Sequence, residues 1–200
     1  MFYYERKFQS QGYETIIGVD EVGRGPLAGP VVAAAVLLKE THFYHRIDDS
    51  KKLSPLQREK AFKEIIEKSI FGVGVVNERI IDQVNILVAT TKAMEEAVLA
   101  LMRKLGNNQR KKCQVLVDGT VKLNLGLEYT NIIRGDSKSI SIASASIVAK
   151  VIRDHIMGLY HQFYPAYGFL QHKGYPTLEH RNALKKFGPS NIHRMSFYGV

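Results

Sequence analysis

The sequence is poor in cysteine and has no long hydrophobic run. Its single cysteine, Cys113, excludes an internal disulfide bond and a metal site built from several cysteines, as is usual in a reducing compartment. No apolar stretch reaches the roughly 20 residues that cross a membrane, and the charged start Met1–Phe8 lacks the apolar core of a signal peptide. We therefore expect a cytoplasmic protein that does not bind membranes.

Acidic residues are outnumbered by basic ones. The chain has 28 Lys and Arg against 19 Asp and Glu, for a net charge of +9, and this excess favours a polyanionic partner such as a nucleic acid. Internal repeats, low-complexity segments and linkers are missing, so we expect one domain over residues 1–200. The sequence indicates no obligatory protein partner, and we expect a monomer.

Apolar runs alternate with helical patterns along the chain. The first two runs, Ile16–Asp20 and Val31–Leu38, resemble a β-hairpin. Further strands are predicted over 71–76, 115–117 and 129–134, and helices over 54–69, 85–105, 139–163 and 177–187. Strands that alternate with helices indicate an α/β fold, and the hairpin makes its sheet a mixed one.

Acidic residues follow three of the predicted strands. Asp20 and Glu21 end the first apolar run, Asp118 follows 115–117, and Asp136 follows 129–134. Functional groups of α/β proteins collect at the carboxyl ends of strands. An isolated Asp-Glu pair is explained equally well by a solvated acidic turn between two strands. The two further acidic strand ends favour a shared site.

These four carboxylates indicate a site for divalent metal ions. Carboxylates within a few ångströms repel one another unless a cation binds among them. Hard oxygen ligands, without cysteine or histidine at ligand spacing, favour Mg²⁺ or Mn²⁺ over zinc. Two such ions about 3.5–4 Å apart activate a water molecule and stabilise the leaving oxygen of a phosphodiester. The pattern therefore predicts metal-dependent hydrolysis of a nucleic-acid backbone.

Other nucleotide-binding and hydrolase motifs are missing. The glycines at 23, 25 and 29 are spaced one residue too far apart for a dinucleotide-binding fingerprint. The chain has neither a P-loop Gly-Lys-Ser/Thr nor a Gly-x-Ser-x-Gly nucleophile elbow.

Several longer motifs are similar to those of a known family. They are Gly18–Pro30 (GVDEVGRGPLAGP), Asp49–Leu53 (DSKKL), Val117–Gly119, Gly135-Asp136, Ser141–Lys150, Gly174-Tyr175 and His193–Phe197. Together they resemble bacterial ribonuclease HII, the type 2 ribonuclease H, over nearly the whole chain. The resemblance implies a ribonuclease H-like, mixed five-stranded sheet flanked by helices, with a C-terminal helical portion. In that fold, residues from about 165 to 200 complete the substrate cleft.

The same resemblance implies an enzyme and its site. The family's catalytic, metal-binding acids match Asp20, Glu21, Asp118 and Asp136, and its substrate-binding residues match Gly23, Arg24, Gly25 and Tyr175. The implied enzyme is an endonuclease that uses Mg²⁺ or Mn²⁺. It cuts the RNA strand of RNA–DNA hybrids and cuts 5′ of single ribonucleotides embedded in duplex DNA, as in ribonucleotide excision. The products carry a 3′-hydroxyl and a 5′-phosphate.

Two other functions remain open at this point, as do the roles of several side chains. The alternatives are a non-catalytic nucleic-acid-binding domain and another metal-dependent nuclease of this fold, indifferent to the 2′-hydroxyl. Tyr175 alone would be interpreted as an aromatic residue capping the core. Lys51, Lys150 and Lys173 are candidates for phosphate contacts and equally for solvated surface lysines. We expect the basic runs 110–112 and 185–186 to be plain surface charge.

Overall fold

A computed structural model describes residues 1–200, and a five-stranded sheet lies at its centre. The strands are β1 (Thr15–Val22), β2 (Val31–Leu38), β3 (Ser69–Val76), β4 (Cys113–Asp118) and β5 (Tyr129–Ile132), in the spatial order β3-β2-β1-β4-β5. β2 pairs antiparallel with β1 and with β3, while β4 pairs parallel with β1 and with β5. The predicted hairpin and the mixed sheet are therefore confirmed.

Eight helices flank this sheet. They are α1 (Tyr3–Ser10), α2 (Pro55–Glu67), α3 (Glu78–Val84), α4 (Ile86–Met102), α5 (Asn107–Lys111), α6 (Ile140–Phe163), α7 (Phe169–His172) and α8 (Leu178–Phe187). Ser54 and Gln57 form the capping box that begins α2, as the sequence predicts. None of the helices has the length and apolar character needed to cross a membrane.

The central strand β2 is buried on both faces. Val31, Ala33 and Ala35 face the core cluster formed with α4, and the alternating residues between them face the cluster formed with α2 and α6. Side chains of a strand alternate between the two faces of a sheet. An unbroken apolar run is therefore the expected pattern for a strand covered by helices on both sides.

Glycines allow two helices to lie directly on the sheet. A Cβ atom added at Gly74 of β3 would lie 2.0 Å from the Ala93 carbonyl oxygen of α4. One added at Gly18 of β1 would lie 2.1 Å from the Ser141 carbonyl carbon of α6. Both neighbours are backbone atoms, which cannot move aside as a flexible side chain can.

Gly74→Ala should therefore destabilise the protein strongly. The added methyl group forces α4 away from β3, and overpacking of this kind costs about 3 kcal/mol at the upper end of its usual range. For a chain of this size the melting temperature should fall by roughly 6–12 °C. Calorimetry can compare this variant with Gly158→Ala inside α6, where the new Cβ would meet its nearest atom at 3.9 Å. The control should gain about 1 kcal/mol from helix propensity; equal melting temperatures for the two variants would contradict the close contact.

The predicted helix over 85–105 is confirmed as α4, which begins one residue later and ends three residues earlier than predicted. Asn85 has a φ of 69°, which interrupts the helical backbone between α3 and α4. A positive φ is uncommon outside glycine, and the Asn85 side chain stabilises this turn by accepting hydrogen bonds from the backbone N–H groups of Leu87 and Val88 at the start of α4. The short α3, which Asn77 caps, lies before the predicted helix and was not predicted, because its seven residues are too few to show a helical repeat.

Several predicted boundaries also differ from the structure. β1 continues to Val22 instead of ending at Asp20, and β5 ends at Ile132 instead of residue 134. The basic connection after Gly106 contains the short helix α5. The aromatic segment 164–175, predicted as a loop, contains a turn of 3₁₀-helix and α7.

Candidate active site

The site lies where β1 separates from β4. Their parallel pairing stops at Val19 and Val117, whereas β1 continues to pair with β2 as far as Val22. On one side, the backbones of Asp20 and Glu21 are therefore paired with β2. On the other side, they face the open gap between β1 and β4. The prediction that the strand ends at Asp20 is wrong because β2 supplies further partners for the backbone. Asp118, the last residue of β4, lies next to the same gap.

Asp20 is buried on the side of the sheet that faces α6. It is only 5% exposed, and its Oδ1 accepts a hydrogen bond from the Glu21 backbone N–H at 2.7 Å. The Ser146 side chain of α6 lies close enough to this carboxyl group to lower its pKa, and the Ser146 hydroxyl donates a hydrogen bond of 3.0 Å to that of Ser50. These contacts connect Asp20 to the segment that carries Lys51.

Glu21 points to the opposite side, as alternation along a strand requires. It lines a cleft with Asp118 and with Thr90 and Thr91 of α4. Its Oε1 lies 3.4 Å from Nη1 of the half-exposed Arg24. Burial raises the pKa of Glu21, the Arg24 guanidinium opposes this rise, and the Asp118 carboxylate adds to it.

Asp118 and Asp136 are joined through a backbone turn. Oδ1 of Asp118 accepts a hydrogen bond of 2.6 Å from the backbone N–H of Gly135. Asp136 follows in a turn of 3₁₀-helix, Gly135–Ser137. The residue that precedes this turn, Arg134, has a φ of 56°. Asp136 therefore lies beyond the end of β5 instead of directly at it, and the turn brings it back towards β4.

The carboxylates of this site repel one another electrostatically. Burial raises the pKa of Asp20 well above its usual range, and the charges of Glu21 and Asp118 raise it further. Burial also raises the pKa of Asp136, with contributions from Asp49 and Asp118. Placing several carboxylates together is unfavourable without a compensating cation, so this cluster is suited to bind one.

The donor set fits a hard divalent ion by its chemistry. Every candidate ligand among the predicted acids is a carboxylate oxygen, the donor that Mg²⁺ and Mn²⁺ prefer. As the side chains stand, no three His, Cys, Asp or Glu residues converge as a ready-made metal-binding group. A bound ion would therefore have to draw the carboxylates towards itself and relieve their repulsion.

Lys51 and Tyr175 border the same site. Together with Glu21, Ser146 and Lys150 they line a small cleft. Partial burial lowers the pKa of Lys51, but the charges of Asp49, Asp20 and Asp136 outweigh this effect and raise it. Tyr175 is 36% exposed, which leaves its ring accessible at the edge of the cleft.

The other predicted lysines are less available. Nζ of Lys150 lies 2.7 Å from Oδ1 of Asp154 in an ion pair, and Nζ of Lys173 donates to the Leu170 carbonyl oxygen at 2.8 Å. The basic runs 110–112 and 185–186 are exposed, as expected for surface charge.

Sequence reasoning missed two buried arginines beneath the Gly23–Gly25 turn. Arg153 of α6 and Arg194 of the C-terminal tail are both fully buried. They donate hydrogen bonds to backbone carbonyls of this turn and of the segment that follows it. Arginine is rarely buried, and its partners here are backbone groups, so no side-chain pattern in the sequence indicated them.

Three buried histidines, His172, His180 and His193, pack together against the segment that carries Tyr175. The rings of His172 and His180 stack with centroids 4.5 Å apart. Nδ1 of His180 lies 3.0 Å from the Tyr175 carbonyl oxygen, and its Nε2 lies 3.0 Å from Nε2 of His193. Nδ1 of His193 accepts a hydrogen bond from the Ser190 backbone N–H at 2.8 Å. Burial and the neighbouring His180 lower the pKa of His193 to about 4.

This histidine cluster should make stability fall in mild acid. Between about pH 6.5, the ordinary histidine value, and pH 4 the unfolded chain binds a proton that folded His193 excludes. The contribution is fully present above pH 6.5, is lost as the pH falls to about 4, and is on the order of 3 kcal/mol. Urea unfolding at pH 7, 5.5 and 4.5 should show the advantage of the wild type over His193→Asn shrinking with pH. A constant difference would contradict the assignment.

Two other titratable groups with shifted pKa values also change the stability in that pH range. The pKa of Glu64 is lowered to about 2, so stability falls as the pH drops below the ordinary glutamate value near 4.5, at the lower end of the range used, but it does so in both proteins. The raised pKa of Asp20 acts in the opposite direction, but it is common to both proteins and cancels in the difference.

Comparison with known proteins identifies the family. The family model for ribonuclease HII matches residues 17–200. The chain is 50% identical over 198 residues to the ribonuclease HII of Syntrophus aciditrophicus, covering 98% of this chain and 90% of that protein. Its fold is similar to that of ribonuclease H2 from Pyrococcus horikoshii, with a TM-score of 0.72 and 27% identity over 92% of this chain and 94% of the other. It is also similar in fold to Bst-RNase HIII in complex with Mn²⁺, with a TM-score of 0.74 and 16% identity over 96% of this chain and 70% of the other. The chain belongs to the ribonuclease HII family and is a ribonuclease H enzyme.

Proposed function

We propose that this ribonuclease H, an endonuclease acting on RNA–DNA hybrids, also cuts 5′ of a single ribonucleotide embedded in duplex DNA. The products would carry a 3′-hydroxyl and a 5′-phosphate. We further propose that residues 1–200 act as one unit in the cytoplasm, with residues 165–200 completing the substrate cleft. The observation that carries the proposal is the contact between the Gly23–Gly25 turn and Tyr175 beside the acidic cluster: a Cβ atom on Gly25 would lie 3.9 Å from Cε1 of Tyr175.

The four acids are proposed to hold the metal ions. Asp20, Glu21, Asp118 and Asp136 would supply the carboxylate oxygens, and the raised pKa values of three of them are consistent with a site that lacks positive charge. Bound Mg²⁺ or Mn²⁺ would supply an activated water molecule and charge stabilisation at the phosphate. The Mn²⁺ complex of the structurally similar Bst-RNase HIII supports the choice of a divalent ion.

The Gly23–Gly25 turn is proposed to recognise the ribose. A single ribonucleotide in DNA differs from its neighbours only by a 2′-hydroxyl. Gly25 is exposed and has no side chain to obstruct the approach, so backbone N–H groups of the turn can reach that hydroxyl. The Arg24 guanidinium lies beside Glu21, the Lys51 ammonium feels the charges of Asp20 and Asp136, and both would contact the phosphates. The net charge of +9 supports binding along a polyanionic duplex.

Tyr175 is proposed to stack on the deoxyribose that follows the ribonucleotide. Its ring lies beside Gly25 and borders the cleft that Glu21 lines. In this position it would touch the sugar next to the one that the turn recognises. The pair would therefore sense an RNA-to-DNA junction without binding metal.

One assay tests the proposed function directly. The protein is incubated with labelled duplex DNA carrying one ribonucleotide, in Mg²⁺, in Mn²⁺ or in chelator, beside an all-DNA duplex and an RNA–DNA hybrid. We expect metal-dependent cleavage 5′ of the ribonucleotide and none of the all-DNA duplex. Cleavage of both duplexes would favour a nuclease indifferent to the 2′-hydroxyl, and binding without cleavage would favour a non-catalytic domain.

Tyr175→Ala should reduce cleavage at a single ribonucleotide about tenfold or more. Loss of a stacking contact costs on the order of 1–3 kcal/mol, and a lone ribonucleotide offers no alternative register. Rates on the single-ribonucleotide duplex and on a continuous hybrid should be compared, with Tyr175→Phe as the control that keeps the ring. Equal losses on both substrates would assign Tyr175 to general binding or to the fold.

A further inference from the structure

The two buried arginines hold the backbone of the ribose-recognition turn in place. Arg194 donates from Nη2 to the Gly23 carbonyl oxygen at 2.7 Å and from Nη1 to that of Arg24 at 3.1 Å. Its Nε and Nη2 also donate to the Gly29 carbonyl oxygen, at 2.9 and 2.7 Å. One guanidinium therefore connects the two ends of the loop that begins at Gly23.

Arg153 connects the same loop to the segment that carries Tyr175. Its Nε donates to the Pro30 carbonyl oxygen at 2.9 Å, and its Nη2 donates to that of Ala28 at 3.1 Å. The remaining nitrogen, Nη1, donates to the Lys173 carbonyl oxygen at 2.9 Å. The guanidinium carbon lies 5.9 Å from the centre of the Tyr175 ring. Arg153 thus connects the end of this loop to the segment just before Tyr175.

Stability alone does not explain this arrangement. Both guanidinium groups are fully buried, and their hydrogen-bond partners are neutral carbonyls instead of carboxylates. Burying a charge is costly, and the charges of Glu78 and Asp82 offset only part of that cost for Arg194, whose pKa is lowered to about 9. The fork of the guanidinium does offer what an apolar side chain cannot, which is a fixed orientation for several carbonyls at once.

Fixing a carbonyl also fixes the next N–H group. The peptide unit is planar, so the C=O of one residue and the N–H of the following residue point in set, opposite directions. By holding the carbonyls of Gly23 and Arg24, Arg194 therefore orients the N–H groups of Arg24 and Gly25. These N–H groups therefore point away from the guanidinium.

We propose that Arg194 and Arg153 are positioning residues, which orient the backbone of the Gly23–Gly25 turn and the Tyr175 segment for the sugar at the cleavage point. This inference rests on the proposed role of the turn and extends it to residues that do not touch the substrate. A misplacement of about 1 Å can cost about 100-fold in rate. A single embedded ribonucleotide should be the most sensitive substrate, because it can bind in only one register.

The test replaces Arg194 with lysine and with methionine, and Arg153 with lysine. Lysine keeps the charge but presents a single nitrogen, which cannot reach the Gly23, Arg24 and Gly29 carbonyls together. For Arg194→Lys we expect kcat on the single-ribonucleotide duplex to fall about 10–100-fold, with a smaller loss on a continuous hybrid. The rise in melting temperature caused by Mn²⁺ should be preserved, because the acids are unchanged. Arg194→Met, which also leaves carbonyls unpaired, should lose stability as well.

A matched control separates positioning from loss of stability. Met94 is fully buried in the core between α4 and the sheet, away from the turn. Met94→Ala should lower the melting temperature, yet below that temperature it should keep the wild-type ratio of the two cleavage rates. Wild-type kcat in Arg194→Lys, or equal losses on the two substrates, would overturn the proposal.

The positioning role of the arginines can be tested even if the proposed function fails. If the wild-type protein cleaves hybrids but not the single-ribonucleotide duplex, the proposed specificity fails. The positioning role is then tested by kcat on the hybrid alone. A loss of tenfold or more in Arg194→Lys supports this role, and an unchanged kcat rejects it.

Discussion

Asp118→Asn should abolish cleavage while nucleic-acid binding stays close to normal. The asparagine side chain keeps an oxygen that can accept the hydrogen bond from the Gly135 N–H, so the turn that carries Asp136 should stay in place. The negative charge is lost, however, and with it a proposed metal ligand. Changing a residue that only supports a ligand costs about 10–100-fold, so we expect the loss of a ligand itself to exceed 100-fold. Single-turnover cleavage in Mg²⁺ and in Mn²⁺ measures this effect.

Two further measurements accompany the Asp118→Asn variant. Binding to an RNA–DNA hybrid in chelator should change little, because contacts to the nucleic-acid backbone supply most of the affinity. The melting temperature without metal should rise, since one of the mutually repelling charges is gone, and its increase on addition of Mn²⁺ should shrink. Glu14→Gln, at an exposed acid paired with Lys112, serves as the control. Near-normal turnover in Asp118→Asn would rule out its assignment.

Gly23→Ala should damage both stability and activity. Gly23 has a φ of 99°, which alanine rarely adopts. A Cβ atom there would lie 2.3 Å from Nε of Arg153 and 2.7 Å from the Pro30 carbonyl oxygen. Backbone strain and overpacking each cost on the order of 1–3 kcal/mol, and displacement of Arg153 should lower the cleavage rate by about 100-fold or more. Urea unfolding and single-turnover cleavage measure the two effects.

Two other glycine variants separate the causes. Gly126→Ala, with a φ of 62° and no atom within 4 Å of the new Cβ, should lose stability through backbone strain alone and keep its activity. Gly25→Ala should fold normally, because its new Cβ meets only Tyr175 at 3.9 Å, but it should lose activity through obstruction of the substrate. If Gly23→Ala matched Gly126→Ala in both measurements, Arg153 would have no part in the effect.

The order of strands and helices was largely readable from the sequence. The unbroken apolar run of β2 predicted a strand buried on both faces, and Ser54 and Gln57 marked the start of α2. These signals are local, because each depends on side chains within a few residues. The short helix α3 was not readable, because its seven residues end before a helical repeat is established in the sequence.

The candidate site was predictable only in part. Acids next to predicted strand ends indicated that Asp118 and Asp136 would approach Asp20, which follows from the parallel arrangement of β1, β4 and β5. The sequence did not indicate that β1 continues beyond Asp20 on one side only, because that depends on the register with β2. Arg153 could not be predicted either, because its partners are carbonyls far away along the chain.

The contact between Arg194 and the Gly23 turn also sets the order in which the site is completed during protein synthesis. The two residues are separated by 171 positions, and synthesis proceeds from the N-terminus at about 5–20 residues per second, so roughly 10–30 s pass between them. All four proposed metal ligands have been synthesised by residue 136, well before the arginine that orients the turn. A growing chain therefore carries its acids while the turn still lacks its fixed orientation. Its ability to distinguish RNA from DNA should arise last, when the segment around Arg194 leaves the ribosome and folds under the turn.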